Sequence, residues 1–299
     1  MRIPRQLIPA SVLPTLRKAK KSLVTTGESF LYFLNKWIEP RNVNLGGGLF
    51  IALGWKNLEA VQSHINPQPF IFSPACVFPF SDASINLVYS SHALEHMDPE
   101  TVNRIFEESY RILKPSGKLI LKLPDFDQTL ECWKNEDADF FGDQWGFEDL
   151  VSTWRNRNLT DNLDNRAMCI FCGFWNQAYG NHFEKIWSRP TDTNAEIPNT
   201  ESYHGPPVVS SDVLQELKSS NSPNKIANIL RNTIIKTEHD YSFNHQNAWG
   251  RNELKELISQ FGFVNVSTDS KTILSEYSHI PKIREMLSIS MYLQANKPI

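Results

Sequence analysis

The sequence predicts an α/β fold: a mostly parallel, seven-stranded sheet with helices on its faces. Three observations carry this. Short apolar, β-branched runs alternate with stretches of helical period, as parallel sheets require. Glycines gather directly after the first such run, in "NVNLGGG" (42–48). An unambiguous helix–turn–strand unit, "PETVNRIFEESYRILKPSGKLILKLPD", occupies 99–125.

The elements follow in order. "FLYFLNKWIEP" (30–40) places Phe30, Leu31, Phe33, Leu34 and Trp37 on one helical face, stopped by Pro40. "NVNLG" (42–46) reads as a buried first strand and "GWKNLEA" (54–60) as a second. "QPFIFS" (68–73) supplies a third and "INLVYSS" (85–91) a fourth. Asp98-Pro99 opens a helix, an N-cap acceptor before proline at the first helical position. Val102, Ile105, Phe106, Ile112 and Leu113 keep its period up to "LKPSG", where proline and glycine stop it. "KLILKLPD" (118–125) is the fifth strand. A helix over 250–263, with Leu254, Leu257, Ile258 and Phe261 inward, precedes "VNVSTD" (264–269) and "SISMYLQANKP" (288–298), the last two strands.

Between Phe126 and Asn247 the composition turns to Trp, Asn, Asp and loop signals. The stretch is too long for a connection and reads as a partly helical insertion or substrate lid. The organisation is therefore an N-terminal helical arm (1–41), a core (42–125 and 248–299) and an insertion (126–247).

The chain has 299 residues, a net charge of −3 and 21% charged residues, so it carries no global attraction for nucleic acid. The basic group Arg17, Lys18, Lys20 and Lys21 reads as a solvated face. Pro4, Pro9 and Pro14 interrupt any leader-like apolar run, and no stretch reaches the length of a bilayer span. Cysteines at 76, 132, 169 and 172 form no dense framework. A reducing, cytoplasmic compartment is the expectation. Cys169-x-x-Cys172 stands in an apolar context with no second pair at zinc spacing, so both read as buried thiols and no metal centre is expected.

In a parallel sheet, ligands gather at the carboxyl ends of the strands. That edge would collect Gly46–Gly48, Glu59 and Ser90–His92. Glycine lets the backbone approach a ligand closely, though a bare turn explains a glycine cluster as well. The dinucleotide pattern G-x-G-x-x-G fails because Ile51 holds its third position, and no G-K-[ST] follows to make a phosphate loop.

Taken in order, the glycine stretch, "FPFSDASINLVYSSHALEHM" (78–97), "EESYRILKPSGKLILKLPD" (107–125) and "WGRNELKELISQFGFVNV" (249–266) resemble class I S-adenosylmethionine-dependent methyltransferases. The similarity is to the type 11 methyltransferase domain in particular, over 42–125 and more loosely over 249–298. The resemblance implies a Rossmann-like methyltransferase sheet whose last two strands form an antiparallel hairpin. It implies S-adenosylmethionine as cofactor, with Asn44, Leu45, Gly46, Gly47 and Gly48 beneath its methionine part. Glu59 would receive the ribose hydroxyls, a task suited to an acceptor-only carboxylate. Phe78-Pro79-Phe80 match the apolar loop before strand four, and Ser90, Ser91 and His92 the segment facing the transferred methyl. The chain departs from the pattern at Ser73, where the family usually has an acidic residue near adenine, and at the missing third glycine.

The implied reaction is methyl transfer to an oxygen or nitrogen of a small or medium-sized acceptor. Two readings compete with it: a catalytically degenerate ligand-binding protein of the same fold, and a nicotinamide-dependent oxidoreductase, which the failed fingerprint disfavours. A general base near neutral pKa suits the transfer. His92 is the first candidate and His96 the second, with Leu-Glu-His as a plain structural turn the competing reading. His182, His204 and His245 in the insertion are candidates for contacting substrate. Trp133, Trp145, Trp154, Trp175 and Trp187 read as the packing of a lid more readily than as a pocket lining.

Overall fold

The computed structural model describes residues 31, 33–35, 37–47, 52–60, 66, 68–142, 163–172, 210–233, 245–280 and 283–299. Six strands form one sheet: β1 (Asn42–Leu45), β2 (Trp55–Leu58), β3 (Ile85–Ser91), β4 (Leu113–Pro124), β5 (Val264–Ser267) and β6 (Ser290–Asn296). Their order is β2-β1-β3-β4-β6-β5. The pairs among β1 to β4 are parallel, and β6 runs antiparallel to both β4 and β5. One reversed strand in an otherwise parallel sheet is the topology that the resemblance implies.

The sheet has six strands among the described residues because 68–73 does not join it. Pro69 removes a ladder donor and Pro74 follows directly. The segment makes one backbone hydrogen bond to the end of β2, from Phe70 N to Glu59 O at 2.8 Å. Phe70 and Phe72 turn inward and pack edge-on against each other, so the apolar pattern served core filling in a loop.

The sheet is covered on both faces. Val43, Leu45, Val88, Leu119, Leu121, Leu293 and Ala295 pack beneath α1 (Pro99–Ile112) and α6 (Arg251–Ser259). The alternate residues Leu87, Tyr89, Ile120 and Tyr292 pack on α7 (Ser270–Glu276) and the segment after it. This alternation follows from the two-residue period of the strand. α1 begins where the sequence places it: the Asp98 carboxylate accepts from Thr101 N at 2.9 Å. Its last carbonyls are capped from β6's end, Lys297 Nζ donating to Tyr110 O at 2.7 Å and Leu113 O at 2.8 Å. A cation at a helix C-terminus suits both the open acceptors and the dipole.

A second core lies beyond the carboxyl edge of the sheet. α2 (Phe126–Lys134), α3 (Leu163–Cys172), α4 (Ser211–Ser219) and α5 (Pro223–Thr233) enclose Phe126, Trp133, Phe171, Leu217, Ile226 and Leu230. Trp133 is fully buried here, and its ring N–H donates to Asp164 Oδ1 at 2.7 Å. The other four tryptophans, and the side chains of Cys169 and Cys172, lie outside the described residues. Cys76 and Cys132 are free thiols, the first buried and the second half-buried.

The helix expected over 30–40 is described at Leu31 and Phe33–Asn35, and it gives way at Trp37, before Pro40. Trp37 stands exposed rather than packed. Asn35 ties this segment to the β1–β2 turn, accepting from Gly54 N and donating to Ala52 O, each at 2.9 Å. No helix among the described residues is long and apolar enough to cross a membrane.

Candidate active site

Strand register brings the predicted edge together. Leu45 pairs with Leu58 on one side and with Ser90 on the other. The next residues, Gly46 and Glu59, therefore leave the sheet beside Ser91, the last residue of β3. The connection from β1 to β2 occupies 46–54, too short for the dozen or more residues of an ordinary crossover helix. Gly46 N donates to Leu58 O at 2.8 Å, which starts the turn tightly against β2.

The described glycines are required by the protein's own packing. Gly46 has φ +64°, and a Cβ there would lie 2.3 Å from the Ala93 Cβ. A Cβ on Gly47 would lie 2.4 Å from Asn44 Nδ2 and 2.9 Å from Asn57 Oδ1. Gly46 therefore needs glycine whether or not a ligand approaches, and a side chain at Gly47 would have to displace the Asn44 and Asn57 side chains. Gly48 lies outside the described residues. A pointer toward a ligand comes instead from Asn44: its Oδ1 is buried with no hydrogen-bond partner among the described residues. A ligand donor reaching it would relieve the cost of that orphan acceptor. Glu59 is buried at the end of β2, and its carbonyl accepts from Phe70 N and Asn66 Nδ2.

Of the remaining expected cofactor contacts, Ser90 is fully buried and donates to Leu45 O at 3.2 Å, tying β3 to β1. Ser73 is half-buried in a turn, its carbonyl accepting from Cys76 N at 3.0 Å. The loop 76–82 is fixed from α1. Glu108 accepts from Phe78 N at 2.7 Å, while Arg111 donates to Phe78 O at 3.0 Å and Phe80 O at 2.9 Å.

His92 follows β3 in a left-handed conformation, φ +50°. Such a backbone costs a non-glycine residue on the order of 1–2 kcal/mol, so the surroundings must hold it. They do: His92 N donates to Lys122 O at 2.8 Å, and the ring sits between two partners. Nε2 is 2.9 Å from Ser290 Oγ at the start of β6, and Nδ1 is 3.4 Å from Glu95 Oε1. Glu95 and His96 lie on the single turn Leu94–His96. Glu95 is fully buried. Burial pushes its carboxyl upward, but the His92 contact and the neighbouring imidazoles outweigh that and hold it at about 2. His96 Nε2 stands 3.9 Å from Glu95 Oε1, and the His96 ring meets the His245 ring edge-on at 4.8 Å.

His245 is placed beneath this turn, buried, with Nδ1 2.7 Å from Ile170 O. Burial, reinforced by His96, lowers it to about 3. His182 and His204 lie outside the described residues. Sequence reasoning reached His92, His96 and His245 but had no signal for Ser290, which lies 198 positions from His92. Glu95 was visible in "LEH", though only as a structural turn.

Among curated proteins none matches the sequence. Three solved structures show the range of likeness in shape. One is phosphoethanolamine N-methyltransferase 2 of Haemonchus contortus in complex with S-adenosyl-L-methionine, at TM-score 0.32 and 11% identity, over 88% of this chain and 49% of that one. Another is an S-adenosylmethionine-dependent methyltransferase of Archaeoglobus fulgidus, at TM-score 0.34 and 11% identity, over 93% and 94%. A third is an S-adenosylmethionine-dependent methyltransferase of Mesorhizobium loti, at TM-score 0.33 and 12% identity, over 87% and 92%. The chain spans about half the length of the Haemonchus protein. These likenesses are too loose to carry a functional inference. The sequence itself says more: residues 52–121 match a family described as a methyltransferase domain.

Proposed function

We propose that the protein transfers a methyl group from S-adenosylmethionine to an oxygen or nitrogen of a small or medium-sized acceptor, in the cytoplasm. The observation that carries this is the register that sets Gly46, Glu59 and Ser91 side by side, the last two within the segment that matches a methyltransferase domain. In this reading Glu59 accepts from the ribose hydroxyls. The orphan Asn44 Oδ1 accepts from the cofactor's ammonium, and the pinned loop around Phe78 borders the adenine. Bound, the cofactor supplies an electrophilic methyl on a sulfonium. The chain's work is to hold the acceptor in line with it, and positioning of that kind is worth up to roughly 7–11 kcal/mol. The insertion at 126–247 shapes the acceptor pocket.

His92 is the proposed base. Glu95 at Nδ1 orients the ring, and Ser290 marks the place beside Nε2 where an acceptor hydroxyl or amine would deliver its proton. His96 is the second choice, being further inside the cluster. A protein of this fold that binds the cofactor without transfer remains the competing reading, because the described glycines are explained by internal packing alone.

Calorimetry with S-adenosylhomocysteine tests the proposal. The wild type is expected to bind with micromolar affinity, and Glu59→Ala to bind roughly tenfold or more weakly, about 1.4 kcal/mol. An absence of binding at millimolar ligand sinks the reading. Binding that Glu59→Ala leaves unchanged moves the site elsewhere. Transfer to acceptors assayed on His92→Asn separates the base from mere binding: turnover should fall while cofactor affinity holds.

A further inference from the structure

The turn after β3 and the segment entering α6 meet in a cluster that methyl transfer does not use in full. Glu95 is fully buried, and neither carboxylate oxygen has a hydrogen-bond partner among the described residues. The nearest imidazole nitrogens are His92 Nδ1 at 3.4 Å and His96 Nε2 at 3.9 Å from one of its oxygens. A buried carboxylate left in that state costs several kcal/mol unless a cation offsets it. Among the described residues no lysine or arginine is paired with it.

His245 is, however, set up as a donor of another kind. The Ile170 carbonyl can only accept, so Nδ1 carries the ring proton and Nε2 is left as the basic nitrogen. A histidine whose second nitrogen is fixed to a backbone carbonyl is the usual arrangement behind a metal-bound imidazole. One ligand atom from each of Glu95, His96 and His245 can be chosen so that all lie within 4.8 Å of one another.

We propose that Glu95, His96 and His245 form a binding site for one divalent transition-metal ion. Two imidazoles and a carboxylate, with no thiolate, suit zinc, manganese or cobalt rather than a soft monovalent ion or calcium. Bonds of about 2.1 Å in tetrahedral geometry set ligand atoms roughly 3.4 Å apart, so the widest pair must draw inward. The backbone frame for this is already in place. Glu95 O accepts from Gln246 N at 2.5 Å and from Asn247 N at 3.1 Å, and Asn247 Nδ2 donates to Met97 O at 2.6 Å. The ion would clamp the chain returning from the insertion onto the turn that carries His92, and three protein ligands leave a coordination position open.

The test uses the full chain without an affinity tag, stripped with a chelator and dialysed. Titration with zinc should show one ion per chain at micromolar affinity or tighter, with stoichiometry checked by elemental analysis. Glu95→Gln and His245→Gln should each weaken binding roughly tenfold or more, a loss comparable to other disruptions of metal sites. His279→Gln removes an exposed histidine outside the cluster and should change nothing. Circular dichroism confirms that each variant is folded. If Glu95→Gln or His245→Gln is not, His96→Asn takes its place and should show the same loss. Wild-type protein that takes up no zinc at micromolar concentration, or folded cluster variants that bind like the wild type, overturn the proposal. S-adenosylhomocysteine binding is measured on the same samples: if it persists while zinc binding is absent, the metal site alone is rejected, and the converse rejects the methyl-transfer reading alone.

Discussion

Gly46 shows how a single position can mislead and inform together. Its place in "NVNLGGG" suggested a ligand's close approach, yet the contact that forbids a side chain is with Ala93 on the turn after β3. Gly46→Ala should cost about 2–4 kcal/mol in urea unfolding, from a left-handed backbone and a methyl overlap together. In an Ala93→Gly background the overlap disappears and only the backbone cost, about 1 kcal/mol, should remain. Equal losses in both backgrounds would show that the two residues do not meet. The same scale marks the limit of reading a site from sequence. "SSHALEHM" announces His92, Glu95 and His96, but nothing near them announces Ser290 or His245, which arrive through the fold.

Elements were legible where local chemistry and tertiary packing agree. β3 is apolar and β-branched in a run, α1 opens on Asp98-Pro99, and both formed with the expected inward residues. Where one residue served another purpose, the pattern failed: 68–73 has the apolar spacing of a strand but holds Pro69, is followed by Pro74 and has a core to fill. α7 was missed because it is short and its cap, Asp269, was read as the end of the preceding strand. The loop 76–82 is held by α1 through Glu108, whose side chain is 3% exposed against Arg104 and Arg111. Burial raises this carboxyl, but the Arg111 hydrogen bonds, the Phe78 N–H and the two guanidinium charges hold it below its ordinary 4.5. A depressed carboxylate stabilises the fold above its unfolded value, and that contribution is lost as pH falls through the lower folded value. Glu108→Gln should therefore lose about 3 kcal/mol at neutral pH and show a flatter decline below pH 4.5 than the wild type. Parallel acid-unfolding curves for the two proteins would contradict this.

At the scale of the molecule, the two large cores abut along the chain itself. Ala248 belongs to the helical core and Trp249 to the sheet core, and Ile289 and Met291 divide in the same way. Packing that changes hands between adjacent residues couples the two energetically. Phe171 is fully buried in the helical core, stacked on Phe126 at 5.7 Å. Phe171→Ala should cost about 3–5 kcal/mol and lower the midpoint of a single calorimetric transition. Two resolved transitions, of which one moves, would show that the cores melt independently. This joint was beyond sequence reading: α2, α4 and α5 are as amphipathic as α6, but helical periodicity does not say against which core an apolar face packs.

The contact between His92 and Ser290 also sets an order of events during synthesis. The glycine turn, Glu59 and His92 all emerge early, as do β1, β3 and β4. The imidazole acquires its hydroxyl partner only when Ser290 emerges and β6 inserts, reversed, against β4. A nascent chain halted before that point holds most of the candidate site and an unpaired β4 edge, but no fixed His92 ring.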